Sequence, residues 1–77
     1  MKVFIEDLVK RFIDNTKELK IIQSQENGLI RIQIKTARED VGKVIGKQGK
    51  NINAIRTIVN AIGAKERRRY SIEIDEA

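Results

Sequence analysis

The sequence predicts a two-layer α+β domain: a three-stranded mixed sheet covered on one face by three helices, in the order helix-strand-strand-helix-helix-strand. Three observations predict it. Apolar residues recur at helical spacing in three segments and alternate with polar residues in three others. An Asn-Gly pair, Asn27-Gly28, stands between the first two alternating segments, which makes those strands an antiparallel hairpin. Two helical segments then separate the second strand from the third. That excursion permits a parallel return beside the second strand.

The elements follow in order. Residues 2–14 read as a helix with Phe4, Ile5, Leu8, Val9, Phe12 and Ile13 on one stripe, and both phenylalanines are expected in the core. Residues 19–24 read as the first strand, and Gln25-Glu26-Asn27-Gly28 as the hairpin connection. In the second strand Ile30, Ile32 and Ile34 face one way and Arg31, Gln33 and Lys35 the other. Thr36 is placed to cap the next helix, with Glu39 as its capping-box partner. That helix spans about residues 37–45 and buries Val41, Val44 and Ile45. Residues 50–64 form another, with Ile52, Ile55, Ile58, Val59 and Ile62 buried and Gly63 near its end. Tyr70, Ile72 and Ile74 alternate with Ser71, Glu73 and Asp75 in the last strand. The outer sheet face is left polar, with Arg31, Gln33, Lys35 and Glu73.

The 77 residues read as one domain, 1–77, with 40% hydrophobic and 35% charged content. A chain of this size buries only about 60% of its unfolded surface, so its stability margin is thin. It has no cysteine and no histidine. Disulfides are excluded, a zinc site is disfavoured, and no cofactor is implied. No signal peptide or membrane-length apolar run is visible, and a cytoplasmic location is expected.

The net charge of +5 is uneven. Residues 1–41 carry +1, residues 42–69 carry +7, and residues 70–77 carry −3. The basic excess begins at Val44-Ile45-Gly46-Lys47-Gln48-Gly49-Lys50-Asn51-Ile52. Two glycines there frame a lysine and a glutamine between two helices. Glycines allow positive φ and close backbone approach. The N-terminus of the next helix offers free N–H groups to an anion. The stretch reads as a clamp for a nucleic-acid backbone, in a region whose charge favours a polyanion.

Other motifs fit less well. A phosphate-binding P-loop needs four residues between its glycines, whereas Gly42 and Gly46 are separated by three, and Gln48 stands where a hydroxyl is required. A dinucleotide fingerprint needs a preceding strand, not a helix. Without histidine or cysteine no nucleophile–base set is available, and Glu39-Asp40 has no implied apolar pocket. An enzyme is not expected. A DNA-binding helix-turn-helix stays open, with Lys50, Asn51, Asn53 and Arg56 as candidate contacts. So does a protein-interaction module that mainly dimerises.

The apolar pair Val44-Ile45 followed by Gly46-Lys47-Gln48-Gly49 resembles the Gly-x-x-Gly signature of KH domains. The element order is that of the type II KH fold. The opening helix, the run Glu39 to Gly49 and the run Ala54 to Val59 together resemble the single-domain bacterial KhpA (YlqC) family over nearly the whole chain. That resemblance implies a non-enzymatic, RNA-binding protein acting as an RNA chaperone or post-transcriptional regulator. It also implies the roles of individual residues. Gly46 and Gly49 permit close approach of single-stranded RNA, Lys47 faces phosphate, and Gln48 donates to phosphate or sugar. Lys43 and Lys50 flank the clamp. Ile45 supplies apolar groove surface, with Ile34 or Val44, and Arg56 acts electrostatically from the polar side of its helix. The expected partners are a second copy of the chain or a larger KH-containing protein of the KhpB/Jag/EloR type.

Overall fold

The computed structural model describes residues 1–77 and has the predicted order. Helix α1 spans Lys2–Val9, strand β1 Lys20–Glu26, strand β2 Leu29–Thr36, helix α2 Arg38–Ile45, helix α3 Lys50–Glu66 and strand β3 Arg69–Glu76. Strand order is β1-β2-β3, with β1 antiparallel and β3 parallel to the central β2. This is the type II KH arrangement.

The hairpin is tighter than the sequence reading. Asn27 and Gly28 alone form the turn, at φ of 50° and 82°, the type I′ geometry that suits strand twist. Both strands therefore run up to the turn, and Glu26 pairs with Leu29.

The core is aliphatic and almost wholly isoleucine, with valine at Val9, Val44 and Val59. These β-branched side chains have few rotamers to lose on burial, which suits a domain with a thin stability margin. Ile30, Ile32 and Ile34 alternate from β2 into this layer, and Ile5, Val44, Ile55 and Val59 meet them from the helices. On the outer sheet face, Arg31 Nη2 lies 2.7 Å from Glu73 Oε1 and Gln33 Nε2 lies 3.5 Å from Glu73 Oε2.

Several side chains depart from the sequence reading. Helix α1 stops at Val9, and the chain tightens through three-residue hydrogen bonds from Arg11 to Leu8 and from Phe12 to Val9. Ile13 still reaches the core. Phe4 is 42% exposed because α1 lies beside the edge strand β1, and a stripe this wide overhangs the sheet. Ile5 and Val9, one turn apart, take the interior. Thr36 does not cap α2. It is buried as the last residue of β2, and Ala37 precedes the helix without a side-chain cap. Val41 and Ile45 are half-buried, and Asp40 takes the interior position beside Val44. Ile58 is 40% exposed, because Ile52, Ile55 and Val59 already fill the sheet-facing side of α3.

Gly63 does not end α3. The helix continues to Glu66 and closes in a Schellman motif, with Arg67 in the left-handed position at φ 58°. Arg68 N donates to Gly63 O at 2.7 Å and Arg67 N to Ala64 O at 3.3 Å. A Cβ on Gly63 would lie 2.6 Å from Arg68 O and 2.9 Å from Tyr70 Cδ2. The glycine is there so that β3 can leave close against the helix.

Candidate nucleic-acid interface

Helix α2 ends where Gly46 turns the backbone to φ 78°. Gly46 N still donates to Gly42 O at 2.8 Å, and Gly49 N donates back to Gly46 O at 3.1 Å. Gln48 and Gly49 both take positive φ, 57° and 78°. Gln48 is the strained member, since a residue with a Cβ disfavours that region. The outcome is a compact turn with Lys47 and Gln48 exposed at its tip.

Asn51 locks the turn. Its Nδ2 donates to Lys43 O, 2.9 Å away, across the base of the loop. A Cβ on Gly46 would sit 2.7 Å from Asn51 Cγ, so glycine is required there for space as well as for φ. The sequence reading offered Asn51 only as a candidate DNA contact, without this role. Its signal was an amide side chain at the second residue of a helix, next to a glycine turn. Helix α3 starts directly from Gly49 with no side-chain cap, so its first N–H groups and the positive end of its dipole face the loop.

The flanking residues divide into free and engaged. Lys47 and Lys50 are exposed and make no ion pair. Lys43 is committed to Asp14 Oδ2 and to Asp40 Oδ1, the latter at 3.4 Å. Both carboxylates hold its ammonium above the ordinary lysine value, Asp14 most strongly. Asp40 is fully buried, yet it accepts from Asn15 N at 2.9 Å and Asp14 N at 3.2 Å. The Asn15 bond is the main cause holding its carboxyl below the usual value. Arg56 is also partly engaged, donating from Nη2 to Ile72 O at 3.1 Å.

Two of the residues expected to line an apolar groove are closed off from the surface. Ile34 and Val44 are fully buried and offer no surface. Ile45 is half-buried and packs against the core. An open depression, mostly polar in its lining, lies between α2 and the end of β3, bounded by Arg38, Val41, Gly42, Ile74, Asp75 and Glu76. Gly42 is one turn before Gly46 and hydrogen-bonded to it, so this depression adjoins the glycine turn. A larger polar depression, bounded by Asn27, Arg31, Arg69 and Glu73, shares no residue with the clamp.

The basic segment is split. Lys47 and Lys50 lie at the start of α3, and Arg67, Arg68 and Arg69 follow its end. A helix of 17 residues separates them by about 25 Å. No helix is long and apolar enough to cross a membrane.

A type II KH fold with a Gly-x-x-Gly turn between its two central helices defines a KH domain. The model of the family described as "KhpA/KhpB, KH domain" matches residues 2–74, and the chain belongs to that family. Among similar proteins, the "RNA-binding protein KhpA" of Clostridium acetobutylicum is 39% identical over 74 residues, 96% of this chain and 99% of that one. The protein of the same name from Chlamydia pneumoniae is 36% identical over 76 residues, 99% and 97% of the two chains. That of Listeria monocytogenes is 34% identical over 76 residues, 99% and 100% of the two chains. No solved structure gives a significant match.

Proposed function

We propose that this protein binds single-stranded RNA through the turn Gly46 to Gly49, as a non-enzymatic cytoplasmic RNA chaperone or post-transcriptional regulator. The observation that carries the reading is the exposed Lys47-Gln48 tip, held by Gly46 and Asn51 beside the uncapped start of α3. The relatives' shared designation as RNA-binding proteins supports the same reading. The strand's phosphates meet Lys47, Lys50 and the backbone N–H groups of the turn, over about four nucleotides. Its bases lie along Val41, Gly42 and Ile74. Gln48 donates to phosphate or sugar. Lys43 acts chiefly by positioning the loop, since its carbonyl holds Asn51 and its ammonium holds Asp14. Ile45 supports the groove from below, and Arg56 contributes at longer range.

The helix-turn-helix reading loses ground because Asn51, one of its base-contacting candidates, is occupied with the loop backbone. The groove has no aromatic platform, so weak sequence preference is expected. The working unit is a homodimer or a complex with a larger KH-containing protein of the KhpB/Jag/EloR type, because one small module binds weakly and a second supplies avidity.

The test is the double variant Lys47→Asp/Gln48→Asp. Both side chains are exposed, so the unfolding midpoint should hold while affinity for a single-stranded oligonucleotide falls at least about tenfold. For the unaltered protein, log affinity should fall with log salt at a slope of roughly −1.5 to −3, the value for two to four phosphates on a single strand. Undiminished affinity in the double variant overturns the clamp.

A further inference from the structure

The end of α3 farthest from the clamp carries cations that the fold leaves free. The helix closes there with Arg67 in the left-handed position, and Lys65, Arg67, Arg68 and Arg69 are exposed and in no ion pair. Complementing the helix dipole accounts for a basic residue in the last turn. It does not account for Arg69, the first residue of β3, which belongs to the outer face of the sheet. Ser71 lies beside Arg31 in the β2–β3 register, and with Arg69 and Asn27 they line the polar depression at the hairpin end of that face. Glu73 is engaged with Arg31 and Gln33, which holds the Arg31 guanidinium in place and leaves it further N–H donors. Glu66, on the last turn of α3, accepts from the Tyr70 hydroxyl at 3.0 Å. Glu26 is the one acid lining the depression that is in no ion pair. Farther along the same face Lys20 stands opposite Lys35, and neither is paired with an acid.

We propose that this depression and the cations around it form a second site, for the sugar–phosphate backbone of double-helical RNA. Its donors suit that ligand. Guanidiniums match phosphate oxygens, and the Ser71 hydroxyl and Asn27 amide match 2′-OH groups, which both donate and accept. A phosphate near Lys20 and Lys35 relieves their repulsion, since like charges directly opposite are destabilising. The face carries no aromatic side chain on which unpaired bases could stack. Tyr70 packs against the core, and both phenylalanines precede the sheet, in or just after α1. Bases within a duplex are already stacked and present mainly backbone and 2′-OH groups to a protein. Clamp and depression lie towards opposite ends of α3, about 25 Å apart. An RNA with a stem and a single-stranded tail can therefore occupy both, and each contact strengthens the other. The tail half of this arrangement rests on the clamp proposed above, and the duplex half does not.

The test is equilibrium titration of the full chain with a blunt RNA duplex of about 16 base pairs, a single strand of about ten nucleotides, and the duplex carrying that strand as a tail. The blunt duplex should bind the wild type and Lys47→Asp/Gln48→Asp equally well. Arg69→Glu should weaken duplex binding about tenfold and lower its salt slope by about 1, while single-strand affinity stays within about twofold. Asn27→Asp keeps a turn-competent Asp-Gly pair and adds a negative charge to the depression, so it should act in the same direction. The tailed duplex should bind the wild type at least about tenfold more tightly than either part, and Arg69→Glu should reduce it to the affinity of the tail alone. A blunt duplex that binds wild type and Arg69→Glu alike overturns the proposal and leaves the face to a protein partner. A single strand weakened by Arg69→Glu as much as the duplex also overturns it, and equal affinity for the matching DNA duplex overturns the assignment to RNA. Single-strand affinity that survives Lys47→Asp/Gln48→Asp removes the clamp, whereas duplex affinity lost in Arg69→Glu still upholds this second site.

Discussion

Asp40 shows how one buried carboxylate sets the shape of the clamp from a distance. It gathers the N–H groups of Asp14 and Asn15 in the segment after α1, and it anchors Lys43, whose carbonyl holds Asn51 across the loop. Its carboxyl is held below its ordinary value of 3.8, so the folded state prefers the charged form more than the unfolded state does. The stability this supplies is present above that ordinary value and is lost as pH falls through the lower folded value. Asp40→Asn should therefore lower the urea midpoint at pH 7 and narrow the difference between midpoints at pH 7 and pH 3. An undiminished difference would place the acid sensitivity elsewhere, for example at Glu73, which Arg31 also holds low. Gly46, Lys47, Gln48 and Gly49 were legible in the sequence because their geometry is local to four consecutive residues. The roles of Asp40 and Asn51 were not. Asp40 acts on residues 25 and 26 positions away, and no pattern of neighbours encodes such a contact. Asn51 is eight positions from its acceptor and meets it only because the loop between them folds back.

Among the elements, the phases of the apolar stripes were legible and the ends were not. Periodicity reports which side of a helix is apolar, whereas its end is decided by what the following chain can hydrogen-bond. Helix α1 stops at Val9 and tightens into a turn through Phe12, and α3 runs past Gly63 to close on Arg67. Stripe width misleads for a related reason. Phe4 and Ile58 lie on their stripes, yet the sheet beneath has room for only part of each. Gly42 sharpens the point, since a glycine within a helix is a cost without a structural need. A Cβ there meets nothing within 4 Å. Gly42→Ala should stabilise the fold by about 0.5–1 kcal/mol through helix propensity and lost unfolded-state freedom. The same methyl narrows the groove beside Val41 and Ile74, so RNA affinity should drop several-fold. Thermal melts and oligonucleotide titrations on one preparation separate the two effects. Gains in both would mean that the bases do not lie along this wall.

Across the whole molecule, the charge total conceals its arrangement. Residues 42–69 carry +7, which read in sequence as one focus, but α3 divides that charge between its two ends. The domain is 34 Å long, and the arginine cluster stands about 25 Å from the clamp. At 0.15 M salt the Debye length is about 8 Å, so the cluster adds little to the affinity of a strand that occupies only the clamp. At 0.01 M salt the length rises to about 30 Å, and both ends then draw an RNA towards the protein. Arg68→Gln/Arg69→Gln should therefore leave the affinity for a tetranucleotide within about twofold at 0.15 M salt, while clearly slowing association at 0.01 M. For an RNA long enough to span α3, the same variant should lose affinity at both salt concentrations, because the strand then touches both ends. Stopped-flow association and equilibrium titration with short and long strands distinguish these cases. Equal losses for the two strand lengths at 0.15 M would mean that the arginines act within the clamp, and that the bound strand runs along α3 from its first contact.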